Sequence, residues 1–433
     1  MPTEALKGFR DYPPPEAGAR SEIRRRMRAA ARKAGYRELE TPCVESLELY
    51  QKKSGDEVTE QTWAFTDKGG RPVALASETT PSVARVFAAR AKSEPLPTKW
   101  FTVSKQWRYE EPQSGRTREF VQFNLDIFGV PGVEAEADIL ATTALLLDDV
   151  GAQGLYALRV SDRAIAEGLG RRAGARASAP FFRAVDQYRK IPPAEFATEL
   201  AKADVPLDRV DELRSVFESA GSGVTFSALD PFLSELARSG LDAPALAGVE
   251  RIRRLFSLLD RAGISDRTVF DPTVVRGLAY YTSTVFEGFA KNGEGRSLFG
   301  GGRYDNLIEL FDGPSTPAAG IAIGDQTLEL LLKGADRWPE GEPPLDTFVA
   351  VADPSLAADA LALVAELRRA GISADCDLLA RNLSRQLKEA ARRRTRRALI
   401  LGLRETAPGA LVERDLATGA QREVARDAVA RSA

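Results

Sequence analysis

A short stretch in the second half of the chain carries residues that could bind an anion. Residues 274–287 read VVRGLAYYTSTVFE, and GGGRYD follows at 300–305. Arg276 stands beside a glycine turn and an aromatic wall, where a planar guanidinium can face an anionic oxygen. Adjacent strand residues point to opposite faces, so we expect only one of Tyr280 and Tyr281 to line a given pocket. The alternative is two strands with core tyrosines and a solvated arginine.

Two strands joined by a polar loop form the second candidate stretch. The segments 99–110 and 119–129 are rich in Phe, Trp and Ile and flank the loop EPQSGRTR. Arg108 and Glu110 lie two residues apart and therefore share one face of a sheet. Polar residues also alternate with apolar ones in the second strand, namely Gln122, Asn124 and Asp126. This pattern predicts either a polar pocket floor or an edge strand that faces water.

Two further candidates, Glu78 and Thr80, follow a predicted hairpin. The turn KGGR at 68–71 separates two short apolar runs and predicts paired strands. The sequence SETTPS then opens a predicted helix, for which Ser77 or Thr79 would be the N-cap. Glu78 and Thr80 could instead bind an ammonium group through a carboxylate and a hydroxyl.

Composition and charge are those of a globular protein of two or three domains. The 433 residues are 43% apolar and 28% charged, and 60 Lys and Arg balance 62 Asp and Glu, so any basic surface must be local. No apolar run is long enough to span a membrane, and the N-terminus lacks a basic and then apolar leader. We therefore expect a cytoplasmic protein. Cys43 and Cys376 have no metal-ligand spacing and are expected to be inert.

The chain contains no histidine. This excludes a histidine general base, a Ser-His triad and a histidine-ligated metal. Any chemistry must use arginine, lysine, carboxylates, tyrosine and bound ions. We also hypothesise that the protein can be translated during histidine starvation. Drift in an Arg- and Ala-rich genome is the alternative explanation.

Five motifs together resemble one enzyme family. They are RYE at 108–110, PQSGR at 112–116, Gln122 with Asp126, RGLAYY at 276–281 and GGGRYD at 300–305. Their order is similar to that of class II histidyl-tRNA synthetases, and the resemblance covers nearly the whole chain. It implies an α+β fold: a class II synthetase catalytic core with an antiparallel sheet flanked by helices, a helical insertion, and a C-terminal α/β anticodon-binding-like domain.

Enzymes of this family activate histidine with ATP and transfer it to the 3′ end of tRNA. The resemblance therefore implies ATP, Mg²⁺, L-histidine and tRNA(His) as ligands, with Mg²⁺ held partly by ATP and no protein metal ligand identified. The implied ATP-binding residues are Arg108, Glu110, Arg116 and Phe120. The implied histidine-binding residues are Glu78, Thr80, Gln122, Asp126, Arg276, Tyr280, Tyr281 and Tyr304.

The resemblance also implies individual roles. Glu78, Thr80 and Gln122 would hold the α-amino group. Asp126 and Tyr281 would read the imidazole, and Tyr304 would close the pocket. Arg108 and Arg276 would be catalytic, because displacement at phosphorus needs positioning and positive charge more than a base.

The predicted domains are a catalytic domain at 1–335 with a helical insertion at about 160–262, a linker at 336–346, and a small α/β domain with a largely parallel sheet at 347–433. A helix at 16–34 that feeds a strand resembles the first class II motif, which implies a homodimer. The last domain carries a basic cluster that either contacts tRNA or is a solvated helix end, and its implied tRNA-binding residues are Lys388, Arg392, Arg393 and Arg394.

The chain departs from the family pattern at three positions. Ala76 and Thr327 stand where the family commonly has arginine, and Ala279 stands where it has aspartate. These departures leave two alternatives to a ligase. One is a non-catalytic regulatory paralogue that senses histidine, like the regulatory subunit of ATP phosphoribosyltransferase. The other is a paralogue that passes an amino acid to an acceptor other than tRNA.

Overall fold

The computed structural model describes residues 4–54, 61–276, 280–291, 297–341, 344–403 and 409–429. The chain divides into two compact units, Met1–Pro339 and Glu340–Ala433. None of the described helices combines the length and apolarity needed to cross a bilayer.

The first unit contains both helices and strands. Its helices are α1 Glu16–Lys33, α2 Leu47–Ser54, α3 Thr80–Arg90, α4 Glu134–Asp149, α5 Arg163–Arg172, α6 Ser178–Gln187, α7 Pro193–Ala201, α8 Leu207–Ala220, α9 Phe226–Arg238, α10 Ala243–Arg261 and α11 Asp325–Gly334. Its strands are β1 Arg37–Glu38, β2 Val44–Ser46, β3 Ala64–Thr66, β4 Pro72–Leu75, β5 Thr98–Trp107, β6 Glu119–Phe128, β7 Tyr156–Asp162, β8 Val224–Thr225, β9 Thr268–Phe270, β10 Thr284–Ala290, β11 Phe299–Arg303 and β12 Ala318–Gly324.

Nine of these strands form one sheet in the order β1-β5-β6-β12-β11-β10-β7-β9-β8. The central pairs from β5 to β7 are antiparallel, which confirms the predicted α+β core. Strands β2, β4 and β3 form a separate antiparallel sheet, in which the pair of β3 and β4 is the predicted hairpin.

One face of the large sheet, called here the back face, packs into the main hydrophobic core. Phe123, Leu125 and Ile127 alternate along β6 and are buried there with residues of α1 and α4. Helix α1 presents Ile23 and Met27, spaced one turn apart, to the same core. The alternate residues of each strand point to the opposite face of the sheet, called here the front face.

The helices α5 to α10 lie between β7 and β9 in sequence. Helix α10 packs against α5 and β7, so the helical segment is anchored to the end strands of the sheet. Asp162 caps α5 by accepting from the backbone N–H of Ala164, and its carboxylate also pairs with Arg251 at 2.8 Å. The buried carboxylate thus joins sheet and helices.

The second unit is a mixed α/β layer structure. Its elements are β13 Thr347–Val351, α12 Ala357–Arg369, β14 Ala374–Cys376, α13 Leu383–Arg392, β15 Arg397–Leu401, β16 Ala410–Asp415, β17 Gln421–Ala425 and α14 Arg426–Val429. The order is β14-β13-β15-β16-β17, with β13 parallel to both neighbours and β16 and β17 antiparallel. The prediction of a largely parallel sheet is therefore right for the first three strands and wrong for the last two.

Candidate active site

The front face of the large sheet has a floor of small residues with polar groups at its edges. Strand register aligns Asn124, Ala322, Gly300 and Glu287 in one row across β6, β12, β11 and β10. Residues paired in register share a face, so this row forms part of one surface. The next row holds Asp126, Gly320, Gly302 and Val285. The glycines of these two rows leave room for the side chains of Arg276, Tyr281 and Tyr304 to lie close to the backbone of the sheet.

Arg276 lies over this floor. Its backbone has φ +54°, and its side chain is 19% exposed and pairs with Glu287 at 2.5 Å. A Cβ added to Gly300 would fall 1.8 Å from Nη1 of Arg276, so the guanidinium rests on bare backbone. Burial alone lowers the pKa of Arg276, but Tyr281 and Glu287 raise it above its ordinary value, so the group stays charged. The alternative of a solvated arginine is wrong.

Three tyrosines surround the floor beside Arg276. The rings of Tyr280 and Tyr281 lie 4.6 Å apart and their hydroxyls 3.5 Å apart. The expectation that only one of them lines a given pocket is wrong, because both precede β10 and escape the alternation of a strand. Tyr304 lies 6.0 Å from Tyr280, ring to ring. The three side chains therefore form one aromatic wall.

Two carboxylates, Asp126 and Glu78, interact with this aromatic wall. The hydroxyl of Tyr304 donates a hydrogen bond to Asp126. Burial, and then the charge of Asp126, raise the pKa of Tyr304 well above its ordinary value, so this hydroxyl keeps its proton. On the other side, the charge of Glu78 contributes to the raised pKa of Tyr280, after burial and Tyr281. Glu78 is thus close enough to Tyr280 to influence its pKa, while Asp126 contacts Tyr304 of the same cluster.

Arg108 lies at the end of β5 that joins the polar loop. Its Nε donates to the carbonyl oxygen of Ser77 at 2.9 Å, and its guanidinium carbon lies 5.3 Å from the ring centre of Phe120. Phe120 shares the front face with Gln122 by alternation along β6. On the loop, Arg116 pairs with Glu110 at 2.6 Å. A cleft of about 370 Å³ lies beside this loop and α11.

Several buried polar atoms on the front face have no hydrogen-bond partner among the described residues. They are Thr102 Oγ1, Gln106 Oε1, Gln122 Oε1, Asn124 Oδ1 and Arg276 Nε. Leaving such an atom unsatisfied costs about 1–3 kcal/mol. A concentration of them on one face is therefore evidence for a polar ligand. Thr102 and Gln106 were missed by the sequence analysis, although their spacing on β5 repeats the alternation seen on β6.

The comparisons with known proteins agree with this geometry. The family model described as histidyl-tRNA synthetase matches residues 8–328. The chain belongs to the histidyl-tRNA synthetase family. A second model, described as an anticodon binding domain, matches residues 346–432. The resemblance inferred from the five motifs is confirmed.

Curated relatives of this family match along most of the chain. A protein of Natronomonas pharaonis named histidine–tRNA ligase is 38% identical over 424 residues, covering 97% of this chain and 95% of its own. One of Picrophilus torridus with the same name is 40% identical over 338 residues, covering 78% and 77%. The crystal structure of histidyl-tRNA synthetase from Nostoc sp. PCC 7120 superposes with a TM-score of 0.84 at 24% identity, covering 100% of this chain and 98% of that one, and shows the same fold.

The departures from the family pattern have structural explanations at two positions. Ala76 is buried against Leu49 and Tyr50, where an arginine would need a partner. Thr327 lies in the first turn of α11, and its hydroxyl is 3.4 Å from the carbonyl oxygens of Leu298 and Gly324. Ala279 lies outside the described residues.

Two other predictions have different outcomes. Thr79 is at the N-cap position of α3, but its side chain makes no cap bond. Its hydroxyl instead accepts from Gln106 at 2.7 Å, and Thr80 is buried at the start of the helix.

The basic cluster lies in the second unit, where arginines of α13 and the turn after it form ion pairs: Arg392 and Arg393 with Glu389, and Arg394 with Glu340. Lys388 is exposed.

Proposed function

We propose that this chain is a histidine–tRNA ligase, which activates L-histidine with ATP and transfers it to the 3′ end of tRNA(His). The observation that supports this most strongly is the meeting of two kinds of group on the front face. Arg276 provides a buried cation over the glycine floor, and the pair of Asp126 and Tyr304 provides polar partners beside it. The names of the full-length relatives support the same reaction.

The histidine substrate would lie beside the side chains that cover the glycine rows. Glu78, with Thr80 and Gln122, would receive its ammonium group. Asp126, oriented by Tyr304, would accept from an imidazole N–H, while Tyr280 and Tyr281 would enclose the ring. A site that hydrogen-bonds a ring nitrogen rejects analogues without that nitrogen, because the buried carboxylate would then lack a partner.

ATP would lie next to it, toward β5 and the polar loop. Phe120 would stack on the adenine with Glu110 near its edge, and Arg108 would hold the α-phosphate. Arg116 would leave Glu110 to reach the terminal phosphates. The cleft beside the loop would accommodate the phosphates of the nucleotide.

Activation then needs no protein base. The histidine carboxylate, already ionised at neutral pH, attacks the α-phosphorus, the new carboxylate–phosphorus bond forms, and the bond to pyrophosphate breaks. Arg108 and Arg276 stabilise the charge that grows on the α-phosphate oxygens. The terminal hydroxyl of the tRNA next attacks the acyl carbon, the bond from that carbon to AMP breaks, and the hydroxyl proton passes to a phosphate oxygen of the departing AMP. Both steps are compatible with a chain that has no histidine.

Mg²⁺ would arrive with ATP. Among the described residues, no group of three or more acidic or cysteine side chains is arranged to hold a metal. Since Mg²⁺ commonly binds through substrate phosphates and water, ATP itself would supply most ligands. Its charge would offset that of the phosphates.

The second unit would bind the anticodon region of the tRNA, which is the role of the domain it resembles. Lys388 and, after exchange of their carboxylate partners, Arg392, Arg393 and Arg394 would contact phosphates. We also propose a class II homodimer, with α1 and the strand after it at the interface, working in the cytoplasm where translation takes place. The helical insertion would lie near the acceptor stem.

The experiment that tests this function is ATP–pyrophosphate exchange with each amino acid in turn, followed by charging of total tRNA. We expect exchange that depends on histidine and a histidine label on tRNA. Histidine binding without exchange would instead support the regulatory paralogue. Exchange without tRNA labelling would support an acceptor other than tRNA. The match to an anticodon binding domain favours the ligase over both.

A further inference from the structure

Arg163, the first residue of α5, reaches back to the segment that ends in Arg276. Its Nη1 donates to the carbonyl oxygens of Val275 at 3.2 Å and Arg276 at 3.3 Å. Its backbone N–H donates to the carbonyl oxygen of Ser283 at 3.0 Å. Arg163 therefore contacts the chain at Val275 and Arg276 and again at Ser283.

The backbone of Arg276 needs such support. A φ of +54° lies in the left-handed region, which residues with a Cβ occupy only when their surroundings hold them there. A fixed cation that donates to the carbonyl oxygen of Arg276 is support of this kind. At the other end of the side chain, Glu287 and the bare backbone of Gly300 leave the guanidinium little room. A small rotation of this backbone would therefore move the guanidinium out of place.

The start of the same segment is held by a second arginine of the helical segment. Arg189, just after α6, contacts Thr273 Oγ1 and the carboxylate of Asp271, each at 3.3 Å. Asp271 is fully buried and also pairs with Arg159 of β7 at 2.9 Å. The segment from 271 to 276 is thus held from the helices at both ends.

Arg163 is itself oriented by the helical segment. Its guanidinium lies over the ring of Phe182 in α6, with the carbon 4.2 Å from the ring centre. Stacking on an aromatic face fixes the plane of a guanidinium and so the direction of its N–H bonds. A series of contacts therefore connects α6 to Arg276, and it consists of Phe182, Arg163 and the two carbonyl groups.

We propose that Arg163, oriented by Phe182, is a positioning residue that holds the backbone of Arg276 so that its guanidinium faces the reacting phosphate. This inference rests on the proposed role of Arg276. It gives the helices α5 and α6 a part in amino-acid activation, a step in which tRNA is not a reactant. Arg163 itself does not touch substrate.

The test measures histidine-dependent ATP–pyrophosphate exchange with Arg163→Ala, and with Arg163→Lys in case the alanine variant fails to fold. We expect kcat to fall about 10- to 100-fold in Arg163→Ala and less in Arg163→Lys, since lysine keeps the charge but loses the planar group that stacks on Phe182. The KM values for histidine and ATP and the melting temperature should change little. Phe182→Leu should lower kcat in the same way, by a smaller factor.

The control is Arg172→Ala. Arg172 is on the same helix and also binds a backbone carbonyl, that of Ser239 at 2.8 Å, and a carboxylate, that of Glu212 at 2.6 Å. It should keep kcat within about twofold of the parent, because it has no contact with the segment before Arg276. A fall in kcat as large as that of Arg163→Ala would mean general damage to the helices and would overturn the proposal.

A double variant separates positioning from a structural role. In the Arg276→Ala background, Arg163→Ala should lower kcat by less than about twofold, because the group it positions is gone. Independent, multiplying effects would overturn the proposal, as would a parent-like kcat in Arg163→Ala. A parent without histidine-dependent exchange would instead overturn the proposed function itself, so the two failures are distinguishable.

Discussion

The guanidinium of Arg276 lies against the backbone of Gly300, at a distance that leaves no room for a side chain. A Cβ at position 300 would fall 1.8 Å from Nη1. Gly300→Ala should therefore displace the guanidinium and lower histidine-dependent pyrophosphate exchange about 100-fold, an effect comparable to losing one oxyanion-stabilising group. The melting temperature should fall by a few degrees at most, because the displaced side chain is partly exposed to solvent.

The control for this prediction is Gly334→Ala. A Cβ at this position, the end of α11, would meet no atom within 4 Å. Alanine in place of a helical glycine is neutral or stabilising by up to about 1 kcal/mol, so activity should be unchanged. If Gly300→Ala matches the parent in exchange rate, the close contact has no part in catalysis.

Tyr304→Phe should weaken histidine binding. The substitution removes the hydroxyl that donates to Asp126. The buried carboxylate then either rotates out of position or stays in place without this hydrogen-bond partner. At about 1–3 kcal/mol for an unsatisfied buried group, the KM for histidine should rise roughly 5- to 100-fold. The KM for ATP should stay the same, which steady-state kinetics with each substrate varied in turn will check.

Tyr36→Phe is a matched control for that change. Tyr36 is also buried, and its hydroxyl donates to Asp138 over a distance of 2.8 Å. This pair lies away from the front face. It should cost about 1 kcal/mol of unfolding free energy and leave both KM values unchanged. Equal kinetic effects in the two variants would contradict a specific role for Tyr304.

The pH dependence near neutrality should belong to the substrate. Because the chain has no histidine, the group with an ordinary pKa near 6.5 is the imidazole of free histidine. The inflection of kcat/KM for histidine in this range should disappear with the triazole analogue of histidine, whose ring stays neutral to far lower pH. An inflection that persists with the analogue would contradict this account.

The titration of one carboxyl group of the protein, that of Asp325, must be separated from the titration of the substrate imidazole. Burial raises the pKa of Asp325 above its ordinary value, although Arg20 opposes the shift. As pH falls, Asp325 would therefore gain its proton earlier than an exposed aspartate. Asp325→Asn removes this titration, and the inflection seen with histidine should remain.

Translation of this chain should be insensitive to histidine depletion. With no histidine codon to decode, its synthesis does not draw on histidyl-tRNA. In an extract depleted of histidine, the yield of the full chain should hold while that of a histidine-containing control protein falls. A yield that falls as steeply as the control's would remove the starvation hypothesis.

Alternation along the strands is the physical signal that predicted the sheet and the shared face of some candidate site residues. Alternation along β5 and β6 separates an apolar back face from a polar front face, so Gln122 and Asp126 could be assigned to one surface before any coordinates. The hairpin around 68–71 and the end of α1 just before Gly35, whose φ is +82°, follow from glycine signals that act locally. Local rules of this kind predict elements and faces.

The features that the sequence did not predict depend on tertiary contacts. Tyr280 and Tyr281 converge because the chain before β10 is not a strand, and residue order alone does not reveal that. The hydroxyl of Thr79 binds Gln106, which is distant in sequence, instead of capping its own helix. Arg163 acts on backbone carbonyls more than a hundred residues away, and no motif marks such a partner.

The most direct test of the whole account is the rate of histidine-dependent ATP–pyrophosphate exchange in Arg276→Ala beside the parent, both at saturating substrates. We predict exchange in the parent and a rate at least about 100-fold lower in the variant, whose fold is checked by its melting temperature. A variant that exchanges as fast as the parent would contradict the claim that this buried arginine stabilises the reacting phosphate.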